Sequence, residues 1–324
     1  MSRMLRLTAG AALAAGIAFG AAAETKWDMP TPYPDGNFHT RNVAQFAADI
    51  AKATGGSLKI TIHSAGSLFK HPEIKKSVRQ GVAPIGEVLI SLHANESPIY
   101  GLDSVPFLAT GYDGAKKLYQ AQRPALEKRL AEEGLALLYS VPWPPQGIYA
   151  KREIKSVDDL QGLKFRTYNA VTGRVAALAK AAPVQIEVPD LPTAFATGRV
   201  DVMITSASTG VDTKAENYLT HYHDTQAWLP RNVVFVNKAA FDKLSAAEKK
   251  AVTDAAKTAE ERGWKASAEE MTIKTAALKA AKIIVLPPSD ALKSGLGKIG
   301  ATIATEWAAA AGADGKAILD AYKK

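Results

Sequence analysis

The sequence predicts an α/β chain of two lobes joined by crossing strands, with one long helix lying across both. Three observations carry this. Strand-like and helix-like stretches alternate along most of the chain, the pattern of a mostly parallel sheet covered by helices. Pro142-Trp-Pro-Pro-Gln-Gly147 crowds prolines where no helix or central strand accepts them, so it reads as a stiff connector between lobes. Ser245 to about Ala281 is rich in Ala, Glu and Lys with no proline, and a helix of that length exceeds one domain's width.

The first residues stand apart from the fold. Arg3 and Arg6 precede an apolar run, Leu7 to Phe19, too short to span a bilayer, and Gly20-Ala-Ala-Ala23 follows as a small-residue cleavage site. Residues 1–23 therefore read as a signal peptide, cleaved near Ala23 to leave an exported, periplasmic chain. There is no cysteine, which excludes disulfides, thiol catalysis, cysteine-bound metal and a lipidated cysteine. Such a chain must hold itself by its core, and it is long enough for two domains. The formal charge of +8 falls by two with Arg3 and Arg6. It is spread along helices, with no basic stripe interleaved with aromatics, which argues against nucleic acid and for a surface that gathers small anions.

In order, Lys26–Met29 is a short strand and Thr31–Asn37 a turn-rich loop. His39 to Thr54 is an amphipathic helix stopped by Gly55-Gly56, and Leu58 to His63 alternates as a strand. Pro72 to Gln80 is a helix with proline at its start, and Ile85 to Leu92 a buried strand. Tyr112 to Glu133 is helical with an interruption expected at Pro124, and Ala136 to Ser140 is the next strand. Beyond the connector come a strand around Ile148, another at Leu163–Tyr168, and a helix Val171–Lys180. A strand Val184–Glu187, a short helix Leu191–Thr197 and a strand Val200–Thr205 follow. Asn232 to Asn237, apolar and β-branched, is a strand of the return path. Ser245-Ala-Ala-Glu248 is a capping box that starts the long helix, interrupted only by Gly263. Ile283 to Leu286 is a strand, and two helices divided near Gly312 close the chain. Residues 24–143 with 232–271 would form lobe I, and 144–231 with 272–324 lobe II.

No catalytic constellation emerges: there is no Gly-x-Ser-x-Gly elbow, no His-Glu-x-x-His and no Walker loop. Gly295-Leu-Gly-Lys-Ile-Gly300 matches a dinucleotide fingerprint but sits inside a helix, away from any strand end. His221 and His223 share one side of an extended segment beside Asp224, yet no third ligand stands at a telling spacing, so no metal and no cofactor is expected. Asp158-Asp159 suits a helix start. Glu260-Glu261 and Glu269-Glu270 read as the solvated face of the long helix, and Trp264 as packing. Trp143, Tyr149, Tyr168 and Trp228 fall near crossings and strand ends, where aromatics cover a ligand.

The stretch Ser156–Asn169 gathers the most chemistry. Ser156 and Asp159 have capping-box spacing, Gly162 ends the turn, and Leu163–Tyr168 alternates so that Arg166 lies near the C-terminal end of a strand. Its planar fork matches a carboxylate. Asp-Leu-x-Gly-Leu-Lys-Phe-Arg here resembles the arginine-bearing segment of solute-binding proteins of TRAP (tripartite ATP-independent periplasmic) transporters. Phe46–Ile60, Asp103-Ser-Val-Pro-Phe-Leu108 and Ala194-Phe-Ala-Thr-Gly-Arg-Val-Asp201 resemble the same family in the same order.

That resemblance implies a two-lobed periplasmic-binding-protein architecture and a long helix across both lobes. It implies capture of an organic-acid anion by a monomer that delivers it to TRAP membrane subunits. It assigns Arg166 to the ligand carboxylate, and places Gln146 where many members carry a second polar or cationic contact. Thr205 or Ser206 stands where members carry an asparagine, and His39, Glu87 and Ser91 are further contacts from the first lobe. With one arginine and a neutral Gln146, the site fits a monocarboxylate with an aromatic or apolar body under Trp143, Tyr168 and Trp228. A C4-dicarboxylate or sugar acid is the alternative, requiring Arg174 or Arg231 as a second cation. An exported small-ester hydrolase or a sensory ligand-binding module are the alternative classes; the hydrolase lacks a nucleophile–base pair.

Overall fold

A computed structural model describes residues 24–324; the signal peptide expected before them lies outside the described residues. The elements run β1 (Thr25–Pro30), α1 (Phe38–Ala53), β2 (Leu58–His63), α2 (His71–Arg79), β3 (Ile85–Leu89), α3 (Pro98–Gly101), α4 (Gly111–Glu132) and β4 (Leu135–Pro142). Next come β5 (Gln146–Ala150), β6 (Lys164–Thr167), α5 (Ala170–Leu178), β7 (Ala182–Gln185), α6 (Leu191–Ala196), β8 (Val202–Ser206), α7 (Ala207–Asp212) and β9 (His221–His223). The chain ends with β10 (Arg231–Asn237), α8 (Lys238–Asp242), α9 (Ala246–Ala280), β11 (Ile284–Leu286) and α10 (Asp290–Lys323).

The first lobe holds the parallel pair β1–β2 and a three-stranded sheet in the order β3-β10-β4. The second holds six strands in the order β11-β9-β5-β8-β6-β7. The sheets are less parallel than the strand–helix alternation suggests: β10 runs antiparallel to β3 and β4, and β5 antiparallel to β8 and β9. Both exceptions are strands that enter straight from a crossing, and a chain arriving from the other lobe runs against the local βα winding.

Local signals fix the ends of these elements. Both capping boxes form, Ser156 with Asp159 and Ser245 with Glu248. Gly162 turns with φ +75°, and Gly312 breaks α10 with non-helical angles where a division was expected. Pro124, expected to interrupt α4, does not. It lies on the exposed side, so the Gln120 carbonyl that it leaves without an N–H partner faces water.

The family-like segments have structural work to do. Asp103 accepts the Arg231 backbone N–H at 2.9 Å, and Phe107 donates its N–H to Ala227 O at 2.7 Å, which fastens the second crossing to the first lobe. Asp201 accepts the Lys164 N–H at 2.9 Å and so anchors the start of the Arg166 strand.

Helix α9 packs on α1 and β4 of the first lobe and on α7 and β11 of the second. Gly263 does not break it. There the helix meets Val141 and Asn42, and any side chain would collide with both. Glu260 and Glu270, expected in solvent, point inward instead. Glu260 accepts from Ser140 N–H and Tyr119 Oη, each at 2.9 Å. Glu270 takes Arg41 Nη2 at 2.9 Å and Ser208 Oγ at 2.8 Å. Helix α10 rests on α4 and on α5. Gly295 and Gly300 of the dinucleotide-like pattern lie in it against Val157 and the Pro106 carbonyl, so close packing accounts for them. Among the described residues no helix is long and apolar enough to cross a membrane.

Candidate functional site

Strand β6 lies between β7 and β8 and is parallel to both. Period-two alternation sends Phe165 into the core and Arg166 to the opposite face, beside a small cavity of about 40 Å³ between the lobes. Arg166 is only 1% exposed. Its Nε donates to the Ile186 carbonyl at 2.9 Å, and its guanidinium carbon lies 4.9 Å from the centre of the Tyr168 ring. Its two terminal nitrogens have no hydrogen-bond partner among the described residues, which leaves the fork free for a ligand. Burial lowers its pKa, while Glu187 works the other way to keep it charged.

Tyr168 forms one wall. Its hydroxyl donates to Gln146 Oε1 and accepts from Trp228 Nε1, both at 3.1 Å. Gln146 Nε2 donates to Pro144 O at 2.9 Å. Gln146 lines the cavity with both ends of its amide engaged, and Trp228 braces Tyr168 from behind the wall. Thr205, on β8, lines the cavity directly, while Ser206 turns away to cap α7 by accepting the Thr209 N–H at 3.2 Å.

The first lobe contributes a second aromatic wall. Trp143 packs edge-on against Tyr33 with ring centres 4.9 Å apart, and both donate to Asn232 Oδ1, at 2.9 and 3.2 Å. His39 and Glu87 do not line the cavity; they form a buried layer beneath Trp143. His39 Nδ1 is 3.5 Å from Glu87 Oε1, and neither ring nitrogen makes a hydrogen bond. Burial drives the His39 pKa well down and pushes the Glu87 carboxyl up to about 7. Ser91 also stands back, where it accepts from Asn169 Nδ2 at 2.9 Å and joins the lobes.

Three residues weighed from the sequence lie elsewhere. Tyr149 packs at a tilt on Tyr222 in the second lobe's core, 4.4 Å between centres, and donates to Ser206 O. Arg174 pairs with Glu306 at 2.6 Å on the surface. Arg231 is buried beside Asp103 and Gln122 in the first lobe. Arg166 is thus the one arginine lining this cavity among the described residues. His223, half of the weighed metal pair, uses Nε2 to accept the Ile154 N–H at 2.9 Å.

Sequence reasoning missed Tyr33, His71, Leu89, Glu187, Val188, Thr209 and Pro230, which also line the cavity. His71 and Glu187 meet across it, Nδ1 to Oε2 at 3.4 Å. His71 Nε2 accepts the Leu89 N–H at 3.1 Å, so Nδ1 carries the hydrogen that faces Glu187. Burial opposes the charge on Glu187, but His71 and Arg166 outweigh it and hold the carboxyl below its ordinary range. A signal for Glu187 did exist: it follows β7 at the same sheet end as Arg166, where open α/β sheets bind ligands.

Residues 31–306 match the family described as bacterial extracellular solute-binding protein, family 7. The chain is similar to DctP6, an extracytoplasmic solute receptor of Bordetella pertussis solved binding pyroglutamic acid. Identity is 50% and the TM-score 0.91, with 92% of this chain and 99% of that one covered. A TRAP solute-binding protein from a marine metagenome, specific for pyroglutamate, is 43% identical with a TM-score of 0.91, covering 93% of this chain and 99% of its own. A curated solute-binding protein of Albidiferax ferrireducens is 26% identical over 216 residues, which is 65% of this chain and 63% of that relative's length. With a cleft arginine at a strand end, two aromatic walls and a family match across most of its length, the chain belongs to the family 7 extracellular solute-binding proteins, the TRAP-type extracytoplasmic solute receptors.

Proposed function

We propose that this chain captures a small cyclic monocarboxylate, pyroglutamate above all, in the periplasm and delivers it as a monomer to the membrane subunits of a TRAP transporter. The observation that carries the reading is Arg166, buried in the cavity with both terminal nitrogens free. One guanidinium pairs one carboxylate bidentately. A second ligand carboxylate would meet no other arginine and would face Glu187, at a penalty on the order of several kcal/mol for an unpaired buried ion. That disfavours C4-dicarboxylates. A sugar acid needs many free polar partners, whereas the polar atoms of Tyr168, Gln146 and Trp143 are already engaged. The pyroglutamate-binding relatives support a compact ring over the larger aromatic body. Binding, not catalysis, is the function in this reading.

The test is calorimetric titration of ligand-stripped protein with pyroglutamate. Arg166→Ala should abolish binding while the unliganded protein still unfolds cooperatively. Arg166→Lys should restore it only in part, because an ammonium lacks the planar fork. Undiminished affinity in Arg166→Ala removes the reading.

A further inference from the structure

Most polar groups around the cavity are satisfied by their neighbours. Tyr168, Gln146, Trp143 and Tyr33 are joined through the hydrogen bonds described above. Three groups retain capacity for a ligand: the terminal nitrogens of Arg166, the Thr205 hydroxyl and the Glu187 carboxylate. Arg166 only donates, and an ionised Glu187 only accepts. They are held together by one piece of backbone. The Ile186 carbonyl fixes Arg166 Nε at 2.9 Å, and the next residue along the chain is Glu187. A ligand that satisfies both must place an acceptor anion and a hydrogen donor side by side.

We infer that Glu187 is the specificity-determining residue of the cavity, accepting an N–H that the ligand carries beside its carboxylate. Glu187 thereby selects lactams and other α-N–H acids over oxygen analogues of the same shape. The inference rests on the monocarboxylate reading and deepens it by naming the second contact. In pyroglutamate the carboxylate would pair with Arg166, the lactam N–H with Glu187, and the Thr205 hydroxyl is free to donate to the ring carbonyl. A merely structural Glu187, holding His71 and so the two lobes, would affect every ligand alike.

The discriminating measurement is a ratio. Pyroglutamate and its lactone counterpart, 5-oxotetrahydrofuran-2-carboxylate, differ in one ring atom, N–H against O. Calorimetric titration of the wild-type protein should show the lactam bound ~10- to 100-fold more tightly, the range of one hydrogen bond to a charged group. In Glu187→Gln, which keeps shape but not charge, the ratio should collapse toward unity. His71→Ala removes the cross-cleft partner and should weaken both compounds while keeping the ratio. A wild-type protein that binds both equally, or a Glu187→Gln variant that keeps the wild-type ratio, overturns the role of Glu187 and leaves the monocarboxylate reading standing. If wild-type protein binds neither compound, it is the monocarboxylate reading that falls, and this inference with it.

Discussion

Beneath Trp143, Thr31 Oγ1 donates to Glu87 at 2.6 Å, and the neutral His39 ring lies 3.5 Å away with no partner for either nitrogen. Burial pushes the Glu87 carboxyl from 4.5 to about 7, so the folded protein keeps a proton there that the unfolded chain releases near pH 4.5. The stability this contributes is complete below pH 4.5 and is lost as pH rises through about 7. Glu87→Gln should therefore match the wild type at pH 4 and be the more stable protein at pH 8, by roughly 3 kcal/mol at 1.36 kcal/mol per pKa unit. Denaturant titrations at the two pH values check this; an equal difference at both would mean that Glu87 does not titrate in this range. Single residues differed in how well the sequence displayed them. Arg166 was legible because alternation and strand-end position are local properties. Glu187 and Tyr33 were harder to see, because each sits in a loop and its partners, His71 for Glu187 and Asn232 and Trp143 for Tyr33, lie far away in sequence. His39 and Glu87 were read as ligand contacts, yet a whole aromatic layer separates them from the cavity.

At the scale of elements, α9 shows what a local reading captures and what it omits. Its start was legible from the Ser245–Glu248 capping box, and its length from the absence of proline. Its faces were not: Glu260 and Glu270 find buried donors on distant elements, which helical spacing alone does not reveal. Nor was strand direction, because β5 and β10 take theirs from the crossings. Gly263 is the point where helix and sheet approach most closely. Gly263→Ala gains about 1 kcal/mol of helix propensity, but the added methyl overpacks Val141 in a central part of the core, at about 1–3 kcal/mol. Overpacking should win, since Val141 is held in β4 by its pairing with β10. The variant should unfold at lower denaturant concentration with an unchanged slope; a higher midpoint would show that β4 yields.

On the scale of the whole molecule, the lobes touch all around the cavity. Asn37 donates to Asp212 at 2.9 Å, His71 meets Glu187, and Asn169 donates to Ser91 and Ser104 at 2.9 and 3.2 Å. These contacts join the lobes across the cavity, while the crossings and α9 connect them through the chain itself. Ligand that bridges the walls should shift the population toward closure. Saturating pyroglutamate should lower the radius of gyration seen by small-angle scattering and raise the melting temperature, with about 2.7 kcal/mol expected at a hundredfold excess over Kd. Neither change should occur in Arg166→Ala. An unchanged radius in the wild type would mean a site formed in advance of ligand. The two-lobed plan was legible because a proline-rich connector and an over-long helix are conspicuous in sequence; the contacts between the lobes were not, since each depends on how the lobes meet.

The placing of β10 at the centre of the first lobe's sheet has a consequence in time. During synthesis β3 and β4 emerge early, but the strand that pairs with both is Arg231–Asn237. Until that segment leaves the ribosome, neither strand has its partner, and the half of the protein made first waits on a piece made late. Long-range pairing of this kind is slow even in the finished chain, because the loop must close before any contact rewards it. For an extracytoplasmic receptor, the same crossing that joins the lobes also postpones tight folding until most of the polypeptide exists.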